Sequence, residues 1–346
     1  MRIQSFDLGG AKSFVMVITA VFIFLGSFAS GMLSLWEPFL VLGMMLLLGL
    51  PHGATDHGLF LALQKGHSGS KKISFYVVYL AVIAAYGLIW WFLPVIAFAI
   101  FMFLSVYHFG QSNWVNTNHE SPVFGRLHYL MWGTGILLTP ILLHAGEAIA
   151  IVKTMTDIQF ITAPERSAVL LFIGIMAFVN ASIMFVLRWQ QLITTRVLVV
   201  ELVAYAILTT LFFTNSLLLG FSVYFVFWHS LDSAKDQLQF FKLRLSPALR
   251  RQLYGEISMT VLGALLFCLI VWFGPGPETA LQPSVIGGVF IFISLLTLPH
   301  MLLVEQLYTR WSPVRGRSLD NTTTHQNKLK IITRAPDPAA EQLGRV

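Results

Sequence analysis

The chain has 346 residues, 56% of them hydrophobic and only 11% charged, with a mean hydropathy of +0.74. Those values exclude a water-soluble globular protein and place the chain in a bilayer. The formal charge of +6 does not point to nucleic acid, because the basic residues are sorted by membrane side.

A helix needs about 20 predominantly apolar residues to cross hydrocarbon. Roughly ten such stretches occur, at 13–33, 36–61, 73–93, 95–113, 124–143, 166–187, 196–213, 216–233, 256–273 and 284–307. The pattern predicts an all-α polytopic membrane helix bundle of about ten transmembrane helices, forming one domain over 1–311. With the N- and C-termini cytoplasmic, 20 of the 22 Lys and Arg residues fall inside, and only Lys153 and Arg166 fall outside, as the positive-inside rule requires. Phe28-Ala29-Ser30-Gly31 at the end of the first stretch also admits a cleaved leader, which leaves the asymmetry intact.

Between the spans, 111–125 reads as a polar cytoplasmic turn, and 144–165 as an outer segment with a short interfacial helix. The mixed basic and apolar residues from Lys235 to Arg251 suit the inner membrane surface. Residues 312–346 are polar and aperiodic, and read as a disordered cytoplasmic tail. No internal repeat is visible. A single cysteine, Cys268, excludes a disulfide or a thiolate cluster, so a metal site must use nitrogen and oxygen ligands.

Four histidines, His52, His108, His229 and His300, lie deep in the second, fourth, eighth and tenth stretches, where ionisable groups are costly and mark function. All four spans run from outside to inside. Measured from the span starts, the imidazoles lie roughly 20–24 Å below the outer edge of a core ~30 Å thick. Side chains at one level on parallel helices can surround one ion; the competing reading is four helix-packing histidines, each bonded to a neighbour. His57 and His128 sit near cytoplasmic span ends and could reach a site from below. His67, His119, His144 and His325 fall in loops, the tail or span ends.

Pro51 and Pro299 precede two of these histidines and kink their helices. Asp56, one turn beyond His52, is placed to accept a ligand's second ring N–H and fix its tautomer. Asp232 and Ser233 lie one turn after His229 and could support it. Tyr107, Phe109, Phe225, Phe227 and Trp228 flank the histidines and suit a dry pocket for a long apolar substrate. Glu37, Glu147 and Glu201 lie near span ends and read as interfacial groups. All-imidazole ligation suits iron, copper or zinc. There is no His-Glu-x-x-His helix for zinc hydrolysis, and the clustered histidine boxes of membrane desaturases are missing. No lysine lies deep inside a span, which argues against a retinal Schiff base.

Pro51-His52-Gly53-Ala54 with Asp56, Tyr107-His108-Phe109-Gly110, Trp228-His229-Ser230 and Pro299-His300-Met301, in this order, resemble the Brp/Blh family of bacterial β-carotene 15,15'-dioxygenases. The resemblance covers roughly 40–305. It implies a multi-pass enzyme of the cell inner membrane that uses Fe(2+) and O2 to cleave the central double bond of β-carotene, or a related carotenoid, into two all-trans-retinal, often supplying a rhodopsin. It carries the metal-ligand role directly to His52, His108 and His229. Family members commonly have a second histidine one turn after the Trp-His-Ser motif, where this chain has Ser233. The fourth corner is assigned here to His300, with His57 in reserve. The alternatives are a catalytically inactive carotenoid-binding homologue, to which Ser233 points, and a histidine-based metal or proton transporter.

Overall fold

The computed structural model describes residues 11–49, 54–63, 69–117, 119, 121–273, 279 and 281–310. His52, its neighbours Pro51 and Gly53, and the tail at 312–346 lie outside the described residues. Every regular element among the described residues is helical. In chain order these are α1 (Ala11–Phe28), α2 (Ser30–Gly43), a π-helical turn (Met44–Gly49), α3 (Asp56–Leu63), α4 (Gly69–Phe92), α5 (Pro94–Trp114), α6 (Pro122–Leu143), α7 (Ala145–Thr156), α8 (Arg166–Trp189), α9 (Thr195–Thr214) and α10 (Leu217–Val223). A second π-helical turn (Tyr224–Ser230) then leads into α11 (Leu231–Arg244), α12 (Pro247–Phe273) and α13 (Pro283–Arg310).

Local chemistry explains several of the helix ends. Pro94 and Pro122 start α5 and α6, where a missing N–H costs nothing and φ is preset. The Ser121, Thr194 and Ser216 hydroxyls accept from Val123, Val197 and Leu219 N–H, capping α6, α9 and α10. Asp157 ends α7 in the left-handed region at φ 57°. Between α6 and α7 the chain bends by 98° at His144, whose Nε2 lies 2.9 Å from the Phe212 carbonyl. The short α7 matches the helix expected within 144–165.

Six helical segments are long and apolar enough to cross a membrane: Ile73–Phe92, Pro94–Trp114, Arg166–Trp189, Thr195–Thr214, Leu217–Arg244 and Pro283–Thr309. The bent pair α6–α7 makes a seventh if it is one broken span. Two further apolar helices among the described residues, Lys12–Phe28 and Ser30–Leu46, are shorter. Two expected spans are divided. The stretch 13–33 breaks at Ala29, which leaves helical geometry at φ −136°, ψ 33°. The stretch 36–61 passes through a π-turn and restarts as α3 at Asp56. The expected turn at 111–125 is shorter, because α5 runs on through Trp114.

Helices α5 and α6 approach backbone to backbone. A Cβ on Gly110 would lie 1.8 Å from the Tyr129 carbonyl oxygen, and one on Gly133 would lie 1.8 Å from the Val106 carbonyl oxygen. Each helix therefore seats a glycine against the other's backbone, the small-residue contact typical of membrane helices. Because the obstacle is backbone, no rotamer change relieves it. Gly110→Ala is expected to force the helices apart and cost on the order of 3 kcal/mol, lowering the melting temperature in detergent by several degrees; an unchanged melt contradicts this packing.

Candidate functional site

Three of the four expected histidines are described, and they come together. His108, on α5, lies between His229, on the second π-turn, and His300, on α13. The ring centroids of His108 and His229 are 4.9 Å apart at 73°, and those of His108 and His300 are 5.7 Å apart at 86°. All three are buried, although they come from widely separated parts of the sequence. A π-turn holds an extra residue and re-aims its side chains, and such turns recur at functional sites. Here one carries His229, and the other, Met44–Gly49, precedes the segment bearing His52.

Each flanking imidazole has a defined partner. Asp56, at the start of α3, places Oδ1 2.6 Å from His300 Nδ1, and its Oδ2 accepts from the Tyr79 hydroxyl at 2.8 Å. A carboxylate at Nδ1 keeps the proton on that nitrogen, so Nε2 of His300 carries the lone pair. The Ser112 hydroxyl lies 3.0 Å from His229 Nδ1. His108 Nδ1 is buried with no hydrogen-bond partner, which costs free energy unless something else occupies that nitrogen.

Two imidazoles bound to one ion at about 2.1 Å, with angles of about 90–120° at the ion, have ring centroids about 4.6–5.6 Å apart. The His108–His229 pair falls inside that range, and the His108–His300 pair lies just beyond it. Among the described residues no three His, Cys, Asp or Glu side chains close into a metal-holding group; His52 is not among them. The donor chemistry, buried imidazoles steadied by a carboxylate and a hydroxyl, fits a first-row transition metal.

The other expected residues sort clearly. Phe109 packs edge-on to His229 at 4.6 Å, and Phe225 stacks on it at 5.7 Å. Phe227 packs on the main apolar core. Trp228 directs its N–H to Thr19 on α1, and Tyr107 packs against Tyr129. His57 faces elsewhere: it pairs with Glu256 at 3.6 Å and packs on Phe75 and Tyr76. Ser233 takes a hydrogen bond from Gln237, which also bonds Thr55. Asp232 lies in the field of Lys12, Lys235 and Glu201.

His128 pairs with His119 at 3.1 Å, beneath Trp114. In the loop, burial lowers the His119 pKa against a smaller opposing effect of its backbone bond to Thr117, so this ring is neutral at pH 7. Glu201 is buried within the protein, 2% exposed and ion-paired with Lys12.

Sequence reasoning missed Ser112, Tyr79 and the pair Gln111–Glu305, whose side chains meet at 2.5 Å. Gln111 and Ser112 stand three and four positions after His108, hence on its helix face. That spacing was the available signal, and it was obscured by assigning both residues to a loop.

A bundle of membrane-length apolar helices that gathers buried imidazoles from α5, a π-turn and α13 defines a polytopic histidine-site protein. Over residues 43–308 the chain matches the family model described as beta-carotene 15,15'-dioxygenase, and it belongs to that family. A curated relative named Beta-carotene 15,15'-dioxygenase, from an uncultured marine bacterium (66A03), is 21% identical over 269 residues, 77% of this chain and 92% of that protein. No solved structure matches the chain.

Proposed function

We propose that this protein is an Fe(2+)-dependent, multi-pass enzyme of the inner membrane that cleaves the central 15,15' double bond of β-carotene, or a related carotenoid, with O2 to give two all-trans-retinal. The observation that carries the reading is His108: a buried imidazole with an unpartnered nitrogen, seated between two further buried imidazoles within a bundle of the carotenoid dioxygenase family. His108, His229 and His300 would hold the metal, with His52 as the fourth ligand. The bound metal would supply the activation of O2.

The chain's own residues supply position and dryness. Asp56 fixes the His300 tautomer and is itself held by Tyr79, while Ser112 orients His229. Phe109 and Phe225 line the His229 side with apolar edges, suited to a polyene entering from lipid and unable to donate protons to it. Both termini are assigned to the cytoplasmic side, and retinal made here could serve a rhodopsin.

Ser233 favours one other reading, a carotenoid binder without activity. Expression in β-carotene-producing bacteria separates them. Cleavage predicts that orange cells bleach as retinal accumulates. Pigment that copurifies without retinal supports the silent binder, and the absence of both supports a transporter.

A further inference from the structure

The helix α1 precedes residue 43, where the family match begins, yet it is fastened to the bundle at three levels. Lys12 is ion-paired with Glu201 on α9, and Asn113 on α5 donates to the same carboxylate. The Thr19 hydroxyl, fully buried, accepts from Trp228 Nε1 at 2.9 Å. Asn215 donates to the Phe22 carbonyl at 3.3 Å, and a Cβ on Gly26 would lie 2.3 Å from the Thr214 carbonyl oxygen. A leader peptide removed on export would leave Glu201 without Lys12 and the Trp228 indole without its Thr19 acceptor.

The middle fastening bears on the site. Trp228 immediately precedes His229 in the π-turn, so the indole and the imidazole are carried by the same locally widened backbone. An indole N–H can only donate, and when buried it must find an acceptor. Thr19 offers one in a fixed direction, because its own hydrogen is committed to the Val15 carbonyl at 2.8 Å, leaving its lone pairs for Trp228. From the other side, Ser112 holds the His229 ring.

We propose that α1 is a retained working part of the site, and that Thr19 is a positioning residue: through Trp228 it sets the rotation of the π-turn and thereby the aim of His229. The role in turnover rests on the carotenoid-cleaving function proposed above; the positioning of the turn does not.

The test uses the full-length protein in detergent, with Thr19→Val, Thr19→Ser, Trp228→Phe and the Thr19→Val/Trp228→Phe double variant. The first readout is the near-ultraviolet circular dichroism of metal-free protein, which reports the Trp228 environment. Thr19→Val should remove the band that Trp228→Phe removes, Thr19→Ser should keep it, and the double variant should match Trp228→Phe alone, as coupled residues do. The second readout is retinal formation: Thr19→Val should lower kcat about tenfold to a hundredfold with KM unchanged, with Thr19→Ser near wild type.

An unchanged tryptophan band in Thr19→Val, or losses that simply add in the double variant, overturns the proposal. If Thr19→Val does not fold, Trp228→Phe tests the same bond from its other end, and wild-type kcat in that variant is equally fatal. A chain that shows the spectroscopic coupling but cleaves no carotenoid refutes the proposed function and leaves the positioning intact.

Discussion

His108→Ala is expected to abolish carotenoid cleavage and strip the metal from the purified protein. Its ring packs against both of the other described imidazoles, so its loss removes the ring that lies between them. Removing a group that merely supports a metal ligand costs about 10–100-fold in affinity, and loss of the central ligand should exceed that. The helix should survive, because His108 sits close to the Gly110 contact without forming it and alanine suits a helix interior. Metal analysis of the purified variant and retinal formation in β-carotene-producing cells check this; full metal occupancy would remove His108 from the ligand set.

Asp56→Asn should give the second-largest effect, and a different one. The amide could still present its carbonyl oxygen to His300 Nδ1, but without the charge that holds the proton there, and its NH2 group would then face the Tyr79 hydroxyl. Metal affinity is expected to fall about 10–100-fold, while the product formed by the fraction that retains metal stays retinal. Titration of metal-free protein with Fe(2+) measures the first effect, and chromatography of the product the second. A changed cleavage position with unchanged affinity would mean that Asp56 touches substrate instead of steadying His300.

The bilayer and the helical class were legible from composition, because hydrocarbon permits so few backbone solutions. Most spans from 73 onward were legible to within a few residues, since proline and hydroxyl caps mark their ends. The first two spans were not. Ala29 has no side chain that announces a break, and a π-turn of Met and Leu residues has the composition of an ordinary helix. The grouping of His108, His229 and His300 could be anticipated from their shared depth and rarity in apolar runs. Their partners could not, apart from Asp56: Tyr79 and Thr19 are ordinary residues in apolar helices whose importance depends on which helices become neighbours. Lys12 and Glu201, 189 residues apart, each look interfacial alone and meet only because α1 packs against α9.

The proposed function requires imidazoles from separate helices to hold one iron jointly. X-ray absorption at the iron edge of anaerobically purified wild-type protein measures this most directly. The expected result is about one iron per chain, a nitrogen and oxygen coordination shell without sulfur, and the outer-atom scattering of three or four imidazoles. A protein that cleaves β-carotene while holding no iron, or whose iron shows no imidazole scattering, would contradict it.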